Sequence, residues 1–216
     1  MKENNQEKII ATALKMFNSR GYRATTMDDI AASLHISKRT LYETFNNKEQ
    51  LFEACLKDVQ HAIGEIHHKI HVDIKEPLLT TLFIAKVNSI SNLGYNRLIK
   101  DAKLYLPQMH DKYFKIHSVQ LRQKVEQTMQ DALQKGLLRE GVEVKTAVDF
   151  MCTLVQQCCV NEIEDTENYI SQTNEILFTY MRGMLNLATI QQFENLEAEY
   201  GNPLKSLQEQ QTTINS

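Results

Sequence analysis

Three residues with short polar side chains, Thr26, Ser37 and Asn47, follow one another in quick succession, each just before a helix-favouring stretch. Such side chains accept hydrogen bonds from the unpaired N–H groups of a first helical turn, so each marks a helix start. Asp29 stands three residues after Thr26 in a near-match to a capping box, and Gln50 stands in the same relation to Asn47. Starts this close together leave room only for short helices, which are marginal in water unless they pack. The packing residues are present. Ile30, Ala31 and Leu34 are the expected buried side of the helix after Thr26, and Leu41 and Phe45 that of the helix after Ser37. Ahead of them Ile9, Ile10, Ala13, Met16 and Phe17 recur at helical spacing up to Gly21, which ends a first helix. The spacing predicts a compact three-helix head.

Seven Gly and three Pro among 216 residues are few breakers, so the whole chain is expected to be all-α, with about nine or ten helices. The net charge of −3 hides an asymmetry. Residues 1–50 carry eight Lys and Arg against six Asp and Glu, and the remainder carries sixteen against twenty-one. That sign suits a head that approaches a polyanion, mounted on an acidic body. No segment approaches 18 apolar residues, and the N-terminus reads as an amphipathic helix rather than a signal peptide. Cys55, Cys152, Cys158 and Cys159 lack zinc-type spacing, so reduced thiols in a cytoplasmic protein are expected, with oxidant sensing by the adjacent Cys158 and Cys159 left open.

The body is expected to begin with a long helix from Lys48 to near Ile70, striped by Phe52, Cys55, Val59, Ile63, Ile66 and Ile70. His61, His67, His68 and His71 on this helix lack accompanying carboxylate or Cys ligands and read as a solvated face, so no metal is expected. Pro77 opens the next helix, on whose apolar stripe Lys86 stands, either snorkelling to the surface or facing a cavity. Gly94 and Tyr95 are expected to begin a short separate segment ended by Pro107, followed by a helix from about Gln108 to Lys135. Lys86, Tyr105, His110, Tyr113, Phe114 and His117 would together give an apolar effector cavity a few polar groups, the usual make-up of a small-molecule site. For His110 and His117 a hydrogen-bonded core position remains the alternative.

The two last major helices carry broad apolar faces, Val144 to Cys159 and Ile170 to Ala188. Met151, Leu154, Val155, Cys158, Leu177, Tyr180, Met181 and Met184 are the residues expected at a dimer interface there, with an intramolecular core as the competing assignment. A short added helix and a disordered Gln- and Thr-rich tail are expected over 190–216.

The pattern Thr25-Thr26, Ile30-Ala31, Ile36-Ser37, Leu41-Tyr42, Phe45, Lys48 and Leu51 resembles the N-terminal domain of the TetR family of bacterial transcriptional regulators (AcrR-like). His35 departs from it, standing where the family usually has a turn Gly; His is among the better non-Gly residues for a left-handed backbone. The resemblance implies a helix-turn-helix DNA-binding domain over 1–48, a helical ligand-binding and dimerisation domain over 49–189, and a pairing of two copies through four helices. It further implies base contacts from Lys38, Arg39 and Thr40 and phosphate contacts from Thr26, Ser37, Tyr42 and Lys48. The implied function is that of a homodimeric repressor on a palindromic double-stranded operator, released by a small-molecule effector. The competing expectation is a helical interaction module without DNA affinity. The sequence has no phosphate-cradling Gly loop and no nucleophile elbow, and His68 stands where a zinc-protease helix needs Glu, so neither enzyme nor cofactor is expected.

Overall fold

The computed structural model describes residues 2–158 and 166–199, with side chains outside 2–4, 86–94, 96, 114–118, 154–158 and 166–174. Among these residues it is helical throughout apart from turns and one isolated bridge. The head comprises α1 (Lys2–Arg20), α2 (Met27–Ser33) and α3 (Lys38–Thr44). The body comprises α4 (Lys48–Asp73), α5 (Pro77–Tyr105), the single turn α6 (Pro107–His110), α7 (Ile116–Gln134), α8 (Val144–Cys158), α9 (Thr166–Met184) and α10 over 187–199.

Each anticipated cap forms. Thr26 accepts from the Asp29 N–H while the Asp29 carboxylate accepts from the Thr26 N–H, a reciprocal capping box. Ser37 accepts from the Thr40 N–H and Asn47 from the Gln50 N–H. His35 has φ 53°, the left-handed turn expected of it, and the Ile36 N–H behind it reaches back to the Ala31 carbonyl.

The side chains form two cores. The head core contains Ile9, Phe17, Ile30, Leu41 and Phe45, and it continues along α4 through Leu51, Phe52, Cys55, Leu56 and Val59. It also takes Leu98 and Ala102 from α5 and Tyr113 from the turn before α7. The body core gathers Ile70, Leu78, Leu82, Phe83, Met129, Ala147, Val148, Met151, Leu177, Met181, Met184 and Phe193 from α4, α5 and α7 to α10. A rod of 26 residues, α4 therefore belongs to both.

Two segments depart from the sequence reading. No break occurs at Gly94, because α5 runs continuously from Pro77 to Tyr105. One helical Gly costs about 1 kcal/mol, less than packing along a 29-residue helix returns. Where one uninterrupted helix was expected from Gln108, α6 and α7 are joined by a π-helical turn, Asp111–Lys115. Behind the end of α7 the chain turns at Gly136. Gly136 has φ 69°, and the strand-like Leu138 pairs with Leu185 through Arg139 N–H to Met184 carbonyl and Asn186 N–H to Leu137 carbonyl bonds.

Met151, Leu177, Met181 and Met184, expected at a dimer interface, are buried in the protomer's own core. The apolar stripe of each helix points inward at α5 and α7, which periodicity alone cannot distinguish from pointing at a second copy. Tyr180 is half-buried against Phe150, ring centroids 4.7 Å apart. Phe150 and Ile176 are exposed on the outer side of the same two helices. The side chains of Leu154, Val155 and Cys158, and the whole of Cys159, lie outside the described residues, as does the tail from residue 200. The remaining two cysteines are free thiols, and burial raises the pKa of both Cys55 and Cys152.

Candidate nucleic-acid interface

Leu41 and Phe45 anchor α3 to the head by its inner side, each worth about 1.5–3 kcal/mol of burial. That anchorage fixes which residues face out. Ser37, Lys38, Arg39, Tyr42 and Glu43 are exposed and Thr40 is half-exposed, so the outward face of the helix is wholly hydrogen-bonding in character. Thr26 is also exposed, at the N-terminus of α2.

The cations on this face are not free-standing. The Lys38 ammonium bonds the Asp28 carboxylate on α2, and this contact raises its pKa. The Arg39 Nε–H donates to Glu43 Oε1 at 2.8 Å, with 88% of the Arg side chain exposed. The hydroxyls of Ser37 and Thr40 lie 2.8 Å apart. Hydrogen bonds from Thr26 hold the Asp29 carboxyl below its ordinary value, keeping it ionised at the α2 N-terminus.

Lys48 sits differently from the other phosphate candidates. Its ammonium turns inward, donating to the Tyr22 carbonyl at 2.9 Å and the Thr25 carbonyl at 3.1 Å, and lies 4.2 Å from the centre of the Tyr22 ring. Burial, followed by the nearby Arg23 charge, lowers its pKa. Lys48 thus ties the start of α4 to the loop that delivers Thr26.

A second tie, which the sequence reading did not identify, comes from α5. Arg97 donates from Nη1 to the Ser19 carbonyl at 2.6 Å and from Nη2 to the Arg20 carbonyl at 2.9 Å, satisfying the open end of α1. Asp101 accepts from the Tyr22 N–H at 2.5 Å. Gly21 between them has φ 87°, and a Cβ there would lie 3.0 Å from the Arg97 guanidinium and 3.1 Å from Asp101. The spacing of Arg97 and Asp101, one turn apart on a helix, was the available signal.

The residues assigned by sequence to an effector cavity divide. Lys86, Phe114 and His117 lie outside the described side chains. Tyr105 stacks on Tyr22 beneath Arg23, and Tyr113 is buried with its hydroxyl on Glu53 of α4. His110 is half-buried beside Asp111. Continuity of α5 through Gly94 carries Tyr105 three further turns toward the head, so Tyr105 and Tyr113 stand at the head–body seam. Lys112 joins Tyr113 on Glu53 at 2.7 Å, and the Gln60 amide donates to the Tyr113 carbonyl at 2.8 Å. These bonds, from Lys112 and then Tyr113, hold the Glu53 carboxyl below its ordinary value. Among the described residues no group of His, Cys, Asp and Glu is arranged to hold a metal ion, and no helix is long and apolar enough to cross a membrane.

Residues 9–55 match the family model described as bacterial regulatory proteins, tetR family. The biofilm operon icaADBC HTH-type negative transcriptional regulator IcaR of Staphylococcus aureus (strain Newman) is 42% identical over 52 residues, 24% of this chain and 28% of that protein. Its counterpart in Staphylococcus epidermidis is 38% identical over 53 residues, 24% of this chain and 29% of that protein. The match therefore spans little more than a quarter of these curated relatives, and the family-model match lies in the head and the start of α4. The fold is shared far more widely. The TetR family protein CprB from S. coelicolor A3(2) superposes with a TM-score of 0.66 at 19% identity, over 91% of this chain and 96% of its own. The ketosteroid transcriptional regulator KstR2 of Mycobacterium tuberculosis gives 0.61 at 17% identity, over 84% and 95%.

Proposed function

Because the chain carries the N-terminal domain of the tetR family of bacterial regulatory proteins, we propose that it is a homodimeric transcriptional repressor that reads a palindromic operator with α3 and releases it on binding a small molecule. The observation that carries this reading is the outward face of α3, a Ser37-capped helix anchored inward by Leu41 and Phe45 and exposing Lys38, Arg39 and Tyr42. A helix presented in this way fits a major groove, its first residues toward base edges and its flanking hydroxyls toward phosphates. Lys38, Arg39 and Thr40 are the proposed base contacts, and Thr26, Ser37 and Tyr42 the proposed phosphate contacts. Lys48, the remaining proposed phosphate contact, also holds the Tyr22–Thr25 loop in place.

Repression accords with the negative regulators that share the head sequence. The proposed pairing of two copies runs through the outer side of α8 and α9, around Phe150, Ile176 and Tyr180, and reading two half-sites one turn of duplex apart requires the two recognition helices to stand about 34–36 Å from each other. An effector is supported by the ketosteroid regulator and the gamma-butyrolactone receptor that share the fold. The seam offers the route of response: α4 and α5 both grip the head, through Lys48 and through Arg97 and Asp101, so a shift of either relative to the other redirects α3. An effector that binds one arrangement better moves the population by its differential affinity.

The test is titration of the full-length protein against duplexes recovered by repeated selection from a random-sequence pool. Affinity is expected to fall as salt rises from about 50 to 200 mM, with a log–log slope of about 0.9 for each phosphate that a Lys or Arg neutralises. A protein that recovers no duplex above the mixed-sequence background is an interaction module, and the reading fails.

A further inference from the structure

The pair Arg39–Glu43 is poorly explained by the stability of its own helix. Arg39 stands in the first turn of the seven-residue α3 and Glu43 in the last, so each charge opposes the helix dipole. The order, cation before carboxylate, is the less favourable one for a pair one turn apart. Packing does not account for it either, since 88% of the Arg39 side chain and 61% of the Glu43 side chain are exposed. What the contact does is geometric. Glu43 Oε1 takes the Nε–H of a planar guanidinium, at 2.8 Å, and thereby fixes the direction of the plane. The Nη1 and Nη2 ends, which form the far fork, are left for a second partner.

Resting on the DNA-reading proposal above, we propose that Glu43 is the positioning residue that sets base specificity, by holding Arg39 with its far fork directed at a guanine edge. Guanine presents O6 and N7 side by side in the major groove, a pair of acceptors that the fork matches. A freely rotating Arg39 meets phosphates as readily as bases, because a phosphate offers the same two-oxygen edge. The Glu43 carboxylate also repels phosphates, so it disfavours the sequence-independent mode in which Arg39 swings onto the backbone. Lys38 is handled in parallel by Asp28 of α2, which takes its ammonium. These two ion pairs offset the charges of Lys38 and Arg39 on the outward face, which weakens its general attraction to the polyanion and leaves more of the discrimination to matched bases.

The experiment uses full-length wild type, Glu43→Ala, Glu43→Gln, Arg39→Ala and the Arg39→Ala/Glu43→Ala double variant. Each is titrated against a selected duplex, single base-pair variants of it and a mixed-sequence duplex across a salt series. Wild type should prefer G·C at one position per half-site on the order of tenfold or more. Glu43→Ala should lose about tenfold of that preference while binding the mixed-sequence duplex more tightly, with a salt slope steeper by about 0.9 per half-site, or about 1.8 for the dimer, as each Arg39 gains a phosphate. Glu43→Gln, which can still accept from Nε, should retain more of the base preference than Glu43→Ala. In the Arg39→Ala background, Glu43→Ala should leave the remaining base preference unchanged. The inference is overturned if Glu43→Ala weakens all duplexes equally, or if its effect on base preference persists without Arg39. Failure of wild type to select any duplex is a different result: it removes DNA reading itself, and this inference with it.

Discussion

Replacing Lys48 by Ala separates two roles that family resemblance and structure assign to the same ammonium. If Lys48 were only a phosphate contact, its loss would leave the free protein as stable as before and reduce the salt slope of operator binding by about 0.9 per half-site, or about 1.8 for the dimer. The structure gives it an internal role as well. Its Nζ donates to the Tyr22 and Thr25 carbonyls and lies over the Tyr22 ring, in a half-buried position. Hydrogen bonds to charged groups contribute about 1.5–3 kcal/mol each, and two would give roughly 3–6 kcal/mol if fully shielded. Partial exposure lets water replace part of this, so a net loss of about 2 kcal/mol is expected. For a chain of this size that corresponds to a fall in Tm of about 4–8 °C. The assay is thermal unfolding of the DNA-free protein followed by circular dichroism, with Lys48→Met as a companion that keeps an aliphatic side chain at this position but donates nothing. Both variants should melt early by similar amounts. A Lys48→Ala protein that melts with wild type, yet binds operator with a shallower salt slope, would show the ammonium free in solution and refute the anchoring argument.

Gly21→Ala should lower stability by about 1–2 kcal/mol in thermal unfolding, because φ 87° disfavours an L side chain and the new Cβ crowds Arg97 and Asp101. The Glu53 carboxyl is held below its ordinary value, so the stability it supplies is present above about pH 4.5 and is lost as pH falls through the lower value of the folded state. The gap in Tm between wild type and Glu53→Gln should therefore be measurable at neutral pH and narrow as the pH falls below about 4.5; a gap that does not change with pH would contradict the assignment. Ile176→Glu, at an exposed position on α9, should leave the fold intact and shift sedimentation from dimer to monomer, whereas an unchanged sedimentation coefficient would place the pairing surface elsewhere.

The local features of the head were legible because their causes are local. A cap needs only its own first turn, so Thr26, Ser37 and Asn47 announce their helices. The left-handed His35 is likewise a property of one turn. What lay beyond reading depends on partners distant in sequence. The periodicity of Met151, Leu177, Met181 and Met184 shows that these residues are covered, and only the placement of α5 and α7 shows by what. Lys48 looks the same in sequence whether it faces a phosphate or two carbonyls 23 and 26 residues away. The π turn at 111–115 and the unbroken α5 follow from the balance between one local defect and a long packed face, which a window of a few residues does not contain.

That Leu51, Phe52, Cys55, Leu56 and Val59 lie in the same core as Ile9, Phe17 and Leu41 limits how this molecule can be divided. A fragment cut at the end of the helix-turn-helix pattern would expose one wall of its own interior. To transplant the reading unit onto another regulator, an engineer would have to move the first part of α4 with it and rebuild the supporting contacts of Leu98, Ala102 and Tyr113 on the recipient.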